Sequence, residues 1–201
     1  MVRDAAILSA IGIGPDGRRR VLGVSAALSE AEVHWRAFLD DLIARGLRGV
    51  RFIVSDEHPG LRAAHQAVFP GALWQRCQFH LAQNAIHHAP GAAIRKRIGS
   101  ELRRLVETYQ SSAPKLADWL ESAVPEGLTV FTLPDHHRKR LRTSNPMERA
   151  IQQEIKRRTS KVRVFPNEAA LLRLVTAILV EIDEDGATTD RVYIVMSDRD
   201  G

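Results

Sequence analysis

Cysteine, aromatic residues and long apolar runs are all scarce in this chain. Of its 201 residues, only Cys77 is a cysteine, and 5% are aromatic. A single cysteine excludes an internal disulfide, which suits a reducing cytoplasm. No apolar run approaches the ~18 residues needed to span a bilayer, and the N-terminus indicates a strand rather than a signal peptide. We therefore expect a cytoplasmic protein with no membrane partner.

Glycine-rich phosphate-binding loops are missing as well. The chain has neither a Walker loop nor a Gly-x-Gly-x-x-Gly motif, so a nucleotide cofactor is not indicated. The apolar fraction of 44% and the charged fraction of 26% are typical of a globular protein. The length allows one domain with a real core and a small insertion.

Basic charge is the feature that the chain does have. The net charge is +5, which taken alone supports an anionic partner and a merely basic surface equally well. Between positions 138 and 163, however, there are ten basic residues and only two acidic ones. This clustering favours nucleic acid as the anionic partner. The candidate DNA contacts are Arg138, Lys139, Arg140, Arg142, Arg149, Lys156, Arg157 and Arg158.

The order of predicted elements is that of an α/β protein. A hairpin of two strands covers residues 5–28, and a helix follows to about residue 44. Short strands are predicted near 50–54 and 73–77, with a helix between them. The remainder is mainly helical, with a short extended piece at 128–131, a helix over 144–158 and a last helix over 167–182.

Two acidic residues are candidates for catalysis. Asp56 follows a predicted buried strand, where reactive groups of α/β sheets gather, although Ser55 or Asp56 could simply cap the next helix. Glu148 falls in the first turn of a basic helix, where the helix dipole alone could account for a glutamate. A carboxylate inside a field of arginines would repel phosphates unless a divalent cation lies between them, as in metal-dependent chemistry on nucleic acid.

The Cys77–His80 spacing corresponds to half of a zinc site, but the chain has no second cysteine to complete one. Cys77 could instead pack as a small apolar residue, or the pair could tune a neighbouring site. The run from His136 to Arg140 fits either a phosphate clamp or a solvated basic loop.

Several segments together resemble the mutator-type transposases of bacterial insertion sequences. The most specific are "SDEHPGL", "WQRCQFH", "RTSNPMER" and "FPNEAALLRLV", which occur in the family's order, and the resemblance covers nearly the whole chain. It implies a ribonuclease-H-like mixed sheet flanked by helices and an Asp-Asp-Glu triad that binds Mg²⁺ or Mn²⁺. Asp56 takes the place of the second aspartate, Glu148 that of the glutamate, and Cys77 and His80 match the family's Cys-x-x-His signature.

The resemblance also implies where this chain departs from its family. The first aspartate belongs on a strand before Ala5, so that strand and its carboxylate are expected to be missing. Residues 1–88 and 125–182 would form the incomplete catalytic domain, 89–124 a shortened helical insertion, and 183–201 an irregular tail.

The function implied is DNA transposition by metal-dependent phosphodiester cleavage and strand transfer, with insertion-sequence ends and target DNA as partners. With one carboxylate absent, we expect an enzyme that is defective on its own, acting as a homo-oligomer or beside a full-length transposase. The alternative is a non-catalytic module that binds DNA or a transposase.

Overall fold

The structure, a computed structural model, describes residues 5–88, 102–159, 165–188 and 192–196. It is a mixed α/β protein, as predicted. The chain divides into two compact units: the first comprises residues up to Arg51, His58–Ala72 and those from Pro146, and the second comprises Phe52–Glu57 and Leu73–Asn145. Within the described residues no helix is long and apolar enough to cross a membrane.

The strands are β1 (Ala6–Ile13), β2 (Arg19–Ala27), β3 (Phe52–Ser55) and β4 (Leu73–Arg76). The helices are α1 (Glu32–Ala44), α2 (Pro59–Val68), α3 (Gln78–His88), α4 (Leu102–Tyr109), α5 (Pro114–Ala123), α6 (Asp135–Leu141), α7 (Asn145–Thr159) and α8 (Glu168–Thr188). Two 3-10 turns, Pro125–Gly127 and Thr129–Thr132, lie between α5 and α6.

The first unit is built around the predicted hairpin, in which β1 and β2 pair antiparallel. Successive side chains of a strand point to opposite faces, and both faces of this hairpin are covered. Leu8 packs with Phe38 and Leu42 of α1. The opposite face, which includes Ile7, packs against helices α7 and α8 through a cluster centred on Val175.

A carboxylate of α8 also bonds to the hairpin. The Asp183 Oδ1 atom accepts the backbone N–H of Val21 at 2.6 Å. Asp183 was expected to begin an irregular tail, but α8 continues to Thr188. This contact with β2 gives a reason for the additional helical turns, because they bring a polar side chain onto the strand.

The second unit contains a different pair of strands. β3 and β4 pair in parallel, so that Ser55 lies opposite Arg76 and both strands end at the same edge. Helices α4 and α5, inside the region expected to be a shortened insertion, pack together around Tyr109, Leu116 and Leu120. The described strands thus form two separate two-stranded sheets, and the single ribonuclease-H-like sheet stays a prediction.

Two local predictions were wrong. Residues 128–131 are not extended: Leu128 joins two 3-10 turns, and the second, Thr129–Thr132, is held by the buried Gln75 side chain, which accepts the Val130 N–H at 2.5 Å. The run from His136 to Arg140 is not a loop but most of helix α6, which begins after Pro134 and has Asp135 in its first turn. Proline before a first turn and an acidic residue within it both favour helix initiation.

Gly17 and Gly49 offer a matched test of the hairpin turn. Their φ angles are 70° and 69°, but a Cβ at Gly17 would overlap the Ile194 carbonyl oxygen, whereas nothing lies within 4 Å at Gly49. We expect Gly49→Ala to cost about 1–2 kcal/mol of unfolding free energy through backbone strain alone. Gly17→Ala should cost at least ~1 kcal/mol more, because the Tyr193 and Ile194 amides, which donate to the Gly17 carbonyl, would be displaced.

Urea unfolding of the two variants measures this difference. Equal losses would contradict the packing of residues 192–196 against the turn.

Candidate catalytic site at the end of strand β3

The end of β3 is held by a relay of hydrogen bonds through Ser55. The indole Nε1 of Trp74 donates to the Ser55 Oγ at 2.9 Å, and that hydroxyl donates to the Asp56 carbonyl at 2.9 Å. Ser55 is buried, whereas Asp56 is exposed. A buried strand end therefore fixes the backbone from which the Asp56 side chain leaves.

The Asp56 carboxylate has no structural task among the described residues. No hydrogen bond or ion pair reaches it there, in contrast to its neighbour Glu57, which pairs with Arg76. The helix-capping alternative is wrong, because the residue that precedes α2 is His58 and no side chain caps that helix. An exposed carboxylate without a partner, next to a fixed strand end, is available to bind a cation or a proton donor.

Parallel pairing brings Cys77 to the same edge of the sheet. The Cys77 N–H donates to the Ser55 carbonyl at 2.7 Å, and Cys77 directly precedes α3. Its Sγ lies 3.2 Å from the Thr143 Oγ1. The N–H of Gln78 donates to the Arg142 carbonyl at 2.9 Å. The start of the "RTSNPMER" motif is thus bonded to the residues that follow β4, and Cys77 in turn bonds to the end of β3 that carries Asp56.

The Cys77 thiol is fully buried, as expected for a residue that packs as a small apolar side chain, but it also contacts the hydroxyl of Thr143. Whether the Cys77–His80 pair tunes a neighbouring site stays a prediction. Burial raises the pKa of the thiol, but hydrogen bonds from Thr143, the His80 N–H and Ser144 outweigh this and lower the pKa to about 7. Donors directed at a sulfur stabilise the thiolate over the thiol.

Among the described residues, no three His, Cys, Asp or Glu side chains are grouped closely enough to hold a metal ion. The described role of the Cys77–His80 pair is therefore the hydrogen bonding of the Cys77 thiol, to which the His80 N–H contributes. Glu148 lies on α7, whose first residue is Asn145, as the sequence predicted. Its side chain lies outside the described part of the structure, so its role stays a prediction.

A buried arginine beside the site was missed by sequence reasoning. Arg76 is 0% exposed. It pairs with Glu57, and its Nη1 lies 3.2 Å from the Glu126 Oε2, while its guanidinium carbon lies 5.7 Å from the centre of the Trp119 ring. Since removing one partner of a buried ion pair costs several kcal/mol, this cluster joins β4 firmly to the turn at Glu126. The position of Arg76 at the end of a predicted strand was the sequence signal that could have indicated a buried arginine.

The candidate DNA contacts divide into two groups. Arg138, Arg157 and Arg158 are already paired: Arg138 with Asp135, Arg157 with Glu154, and Arg158 with both Glu154 and Glu181. Among the described residues, no carboxylate forms an ion pair with any member of the second group, whose side chains are cationic and unshared: Lys139, Arg142, Arg149 and Lys156. Arg140 has an electrostatic or hydrogen-bonding partner.

Of the paired arginines on α7, Arg157 bonds within the helix and Arg158 joins the helix to α8. Arg158 Nη1 lies 3.0 Å from Glu181 Oε1, and its Nε donates to Glu154 at 2.6 Å. Hydrogen bonds from Arg157 and then Arg158 lower the pKa of Glu154 to about 2. Those from Glu181 and Glu154 raise the pKa of Arg158. These two arginines therefore have a structural role that a count of charges could not show.

The described site thus combines an exposed strand-end carboxylate in the second unit with several side chains that form no described ion pair. The chain belongs to the family described as "Transposase, Mutator family". The family model matches residues 1–106 and 96–188, in two segments that meet inside the predicted insertion.

The curated relatives are transposases of insertion sequences. The chain is 46% identical over 207 residues to the transposase of insertion sequence element IS406 of Burkholderia multivorans, covering 95% of this chain and 53% of the relative. It is 40% identical over 218 residues to the transposase of ISRM5 of Rhizobium meliloti, covering 98% and 53%. It is 34% identical over 189 residues to the transposase of IS1081 of Mycobacterium tuberculosis, covering 87% and 45%. The chain spans about half the length of the curated relatives that it matches.

The hydrogen bonds to Cys77 predict a pH-dependent stability. Because its pKa is lower in the folded protein than the ~8.5 of a free thiol, its thiolate stabilises the fold fully above that value, and this is lost as the pH falls through 7. Relative to Cys77→Ser, the unfolding free energy should rise by about 2 kcal/mol between pH 6 and 10.

Thiolate absorbance at 240 nm, with Cys77→Ser as the blank, measures the same pKa directly. Thr143→Val should move the midpoint upward by removing a hydrogen bond to sulfur. A wild-type midpoint at 8.5 or above would contradict the geometry.

Proposed function

We propose that this chain is the larger part of the catalytic domain of an insertion-sequence transposase, which cleaves and joins DNA phosphodiesters. Its site would contain Asp56 and Glu148, on a fold of the ribonuclease-H-like type. Family membership supports the general function, since the similar proteins are named as transposases of insertion sequences.

One observation carries the proposal for the site. Asp56 has an exposed carboxylate without a partner among the described residues, at a strand end where Cys77 binds Thr143. Thr143 lies five positions before Glu148 in the sequence. The hydrogen bond therefore fixes Thr143 beside Cys77, at the sheet edge where Asp56 follows β3, within the second unit.

The donor chemistry of Asp56 fits a hard divalent cation. Carboxylate oxygens are the ligands that Mg²⁺ and Mn²⁺ prefer, and the Asp56 carboxylate is not neutralised by a described cation. Glu57 is excluded from the ligand set because it pairs with the buried Arg76. When bound, such an ion would activate the attacking water or 3′ hydroxyl and stabilise the leaving oxygen.

Asp56 and Glu148 are two of the three carboxylates that the family's chemistry requires. We propose that residues 1–201 alone do not cleave or join DNA, because a ligand of the metal site is not supplied by them. Pairing with a full-length transposase, which would bring its own complete site, would allow the chain to take part in an active assembly, whereas a homo-oligomer of residues 1–201 would stay inactive.

DNA phosphates are proposed to contact the unshared cations rather than all of the basic residues. Lys139, Arg142, Arg149 and Lys156 can give their whole charge to a phosphate, which adds affinity but little sequence preference. Arg157 and Arg158 would first have to leave Glu154 and Glu181. Arg157 is therefore assigned to an ion pair within α7, and Arg158 to the contact between α7 and α8.

The same cations favour a second candidate function, a module that binds DNA without catalysis. Such a module needs the unshared lysines and arginines but not Asp56. The two functions therefore differ in whether the Asp56 carboxylate binds a metal ion.

The Asp56→Asn substitution tests the metal site. We expect Mg²⁺ or Mn²⁺ to raise the melting temperature of residues 1–201, and Asp56→Asn to abolish this rise because it removes the charge and keeps the shape. Glu57→Gln, at the adjacent position, is the matched control. It should lower stability by breaking its ion pair with Arg76, yet retain the metal effect.

A metal effect that survives Asp56→Asn would refute the assignment of this residue as a ligand. If metal has no effect while salt-sensitive DNA binding remains in the variant, the non-catalytic module is the correct function. Detectable strand transfer by residues 1–201 on insertion-end DNA would contradict the proposed inactivity.

Lys156 and Arg158 lie on the same helix, and they test whether unshared cations bind DNA while paired cations stabilise the fold. Lys156→Gln should weaken DNA binding at every sequence and reduce the slope of log affinity against log salt by about 1, with unchanged stability. Arg158→Gln should instead lower the unfolding free energy slightly, as expected for the loss of an exposed ion pair. Fluorescence anisotropy over a salt series and urea unfolding measure the two effects. An equal loss of affinity in both variants would show that the ion pairs do not decide which cations reach DNA.

A further inference from the structure

Phe131 is an exposed aromatic residue held in a fixed position within the second unit. Its preceding neighbour Val130 is buried, and the Val130 N–H donates to the buried Gln75 side chain at 2.5 Å. Phe131 itself is 57% exposed. The backbone is thus anchored on the core while the next ring is presented to solvent.

Arg138 is fixed beside this ring. Its Nε donates to the Leu133 carbonyl at 2.8 Å and its Nη2 to the Phe131 carbonyl at 3.1 Å. The third nitrogen, Nη1, pairs with Asp135. The guanidinium carbon then lies 5.5 Å from the centre of the Phe131 ring, a cation–π distance. Since all three nitrogens are engaged, the ring and the guanidinium form a rigid pair before any ligand arrives.

The surroundings of this pair are basic. Asp135 is taken by Arg138, and the same helix continues with Lys139 and Arg140, followed by Arg142. A rigid aromatic ring in a field of cations is the arrangement by which proteins bind single-stranded nucleic acid, with phosphates on the cations and a base stacked on the ring.

We infer that Phe131 and Arg138 form a stacking platform for one unpaired base of a DNA strand. The inference rests on the proposed function and deepens it, because breaking a duplex at an insertion end exposes base faces that an intact duplex hides. A paired base in the middle of a duplex has both faces covered by its neighbours, so the platform should select unpaired or terminal bases.

An apolar docking site for another protein segment is the competing occupant, and two variants separate the two. Phe131→Leu keeps an apolar side chain but has no ring, whereas Phe131→Trp keeps a ring. Leu128, three positions earlier and 43% exposed, accepts the Phe131 N–H through its carbonyl at 3.0 Å, which separates the two residues by one 3-10 repeat. Leu128→Ala therefore removes neighbouring apolar surface without removing an aromatic ring.

The experiment uses residues 1–201 with a twelve-nucleotide single strand containing 2-aminopurine, and with a blunt duplex of the same length. We expect Phe131→Leu to weaken single-strand binding roughly 5- to 100-fold and to lose the quenching of 2-aminopurine that stacking causes. Phe131→Trp and Leu128→Ala should bind and quench within about twofold of the wild type, by the same stacking argument. Duplex binding should be unchanged in all three variants.

Wild-type affinity and quenching in Phe131→Leu would overturn the platform while leaving the proposed function intact. So would a larger loss in Leu128→Ala than in Phe131→Leu, which would assign the surface to apolar docking. An equal loss for single strand and duplex would show that Phe131 does not select unpaired bases. If the wild type binds neither DNA, the platform and the proposed function both fail. Because the substituted side chain is exposed, urea unfolding should show unchanged stability.

Discussion

The parallel pairing of β3 with β4 is the constraint on which the second unit depends. It ends both strands at one edge, so that Asp56 and Cys77 come directly after paired residues. The amide of Cys77 continues the pairing by one more bond, to the Ser55 carbonyl. The start of α3 is therefore placed with respect to the end of β3, and the hydrogen bond to Thr143 extends this order to a segment 66 residues further along the chain.

Two buried polar side chains of β4 position the residues that pack next to the strand. Gln75 and Arg76 are both fully buried, and each uses its side chain on a different part of the 3-10 turns. Gln75 holds the Val130 amide, and Arg76 binds Glu126. The hydrogen bonds of Gln75 favour one arrangement over its alternatives, because a shift would leave its buried side-chain oxygen without a partner. The exposed position of Phe131 is a result of these interior contacts.

Local patterns predicted the elements better than the contacts between them. The hairpin, the strand before Asp56 and the helix carrying Glu148 were predictable from turn residues, apolar runs and helix signals near each element. The 3-10 turns were missed because Gln75, more than 50 positions away, decides the conformation at Val130. The pairing of Arg158 with Glu181 was missed for the same reason, since it joins two helices. At the site, Asp56 was identifiable from its place after a strand, whereas the polar contacts of Cys77 depend on Thr143.

The ion pairs between α7 and α8 link the assembly of the first unit to the composition of the solvent. Mobile ions reach Arg158 and its carboxylate partners, and exposed pairs are screened strongly at high ionic strength. Raising the salt concentration thus weakens the Arg158–Glu181 pair and leaves the apolar packing of Ile151 against Val175 to hold α7 on α8. A salt titration of DNA binding will therefore weaken this pair together with the proposed phosphate contact of Lys156.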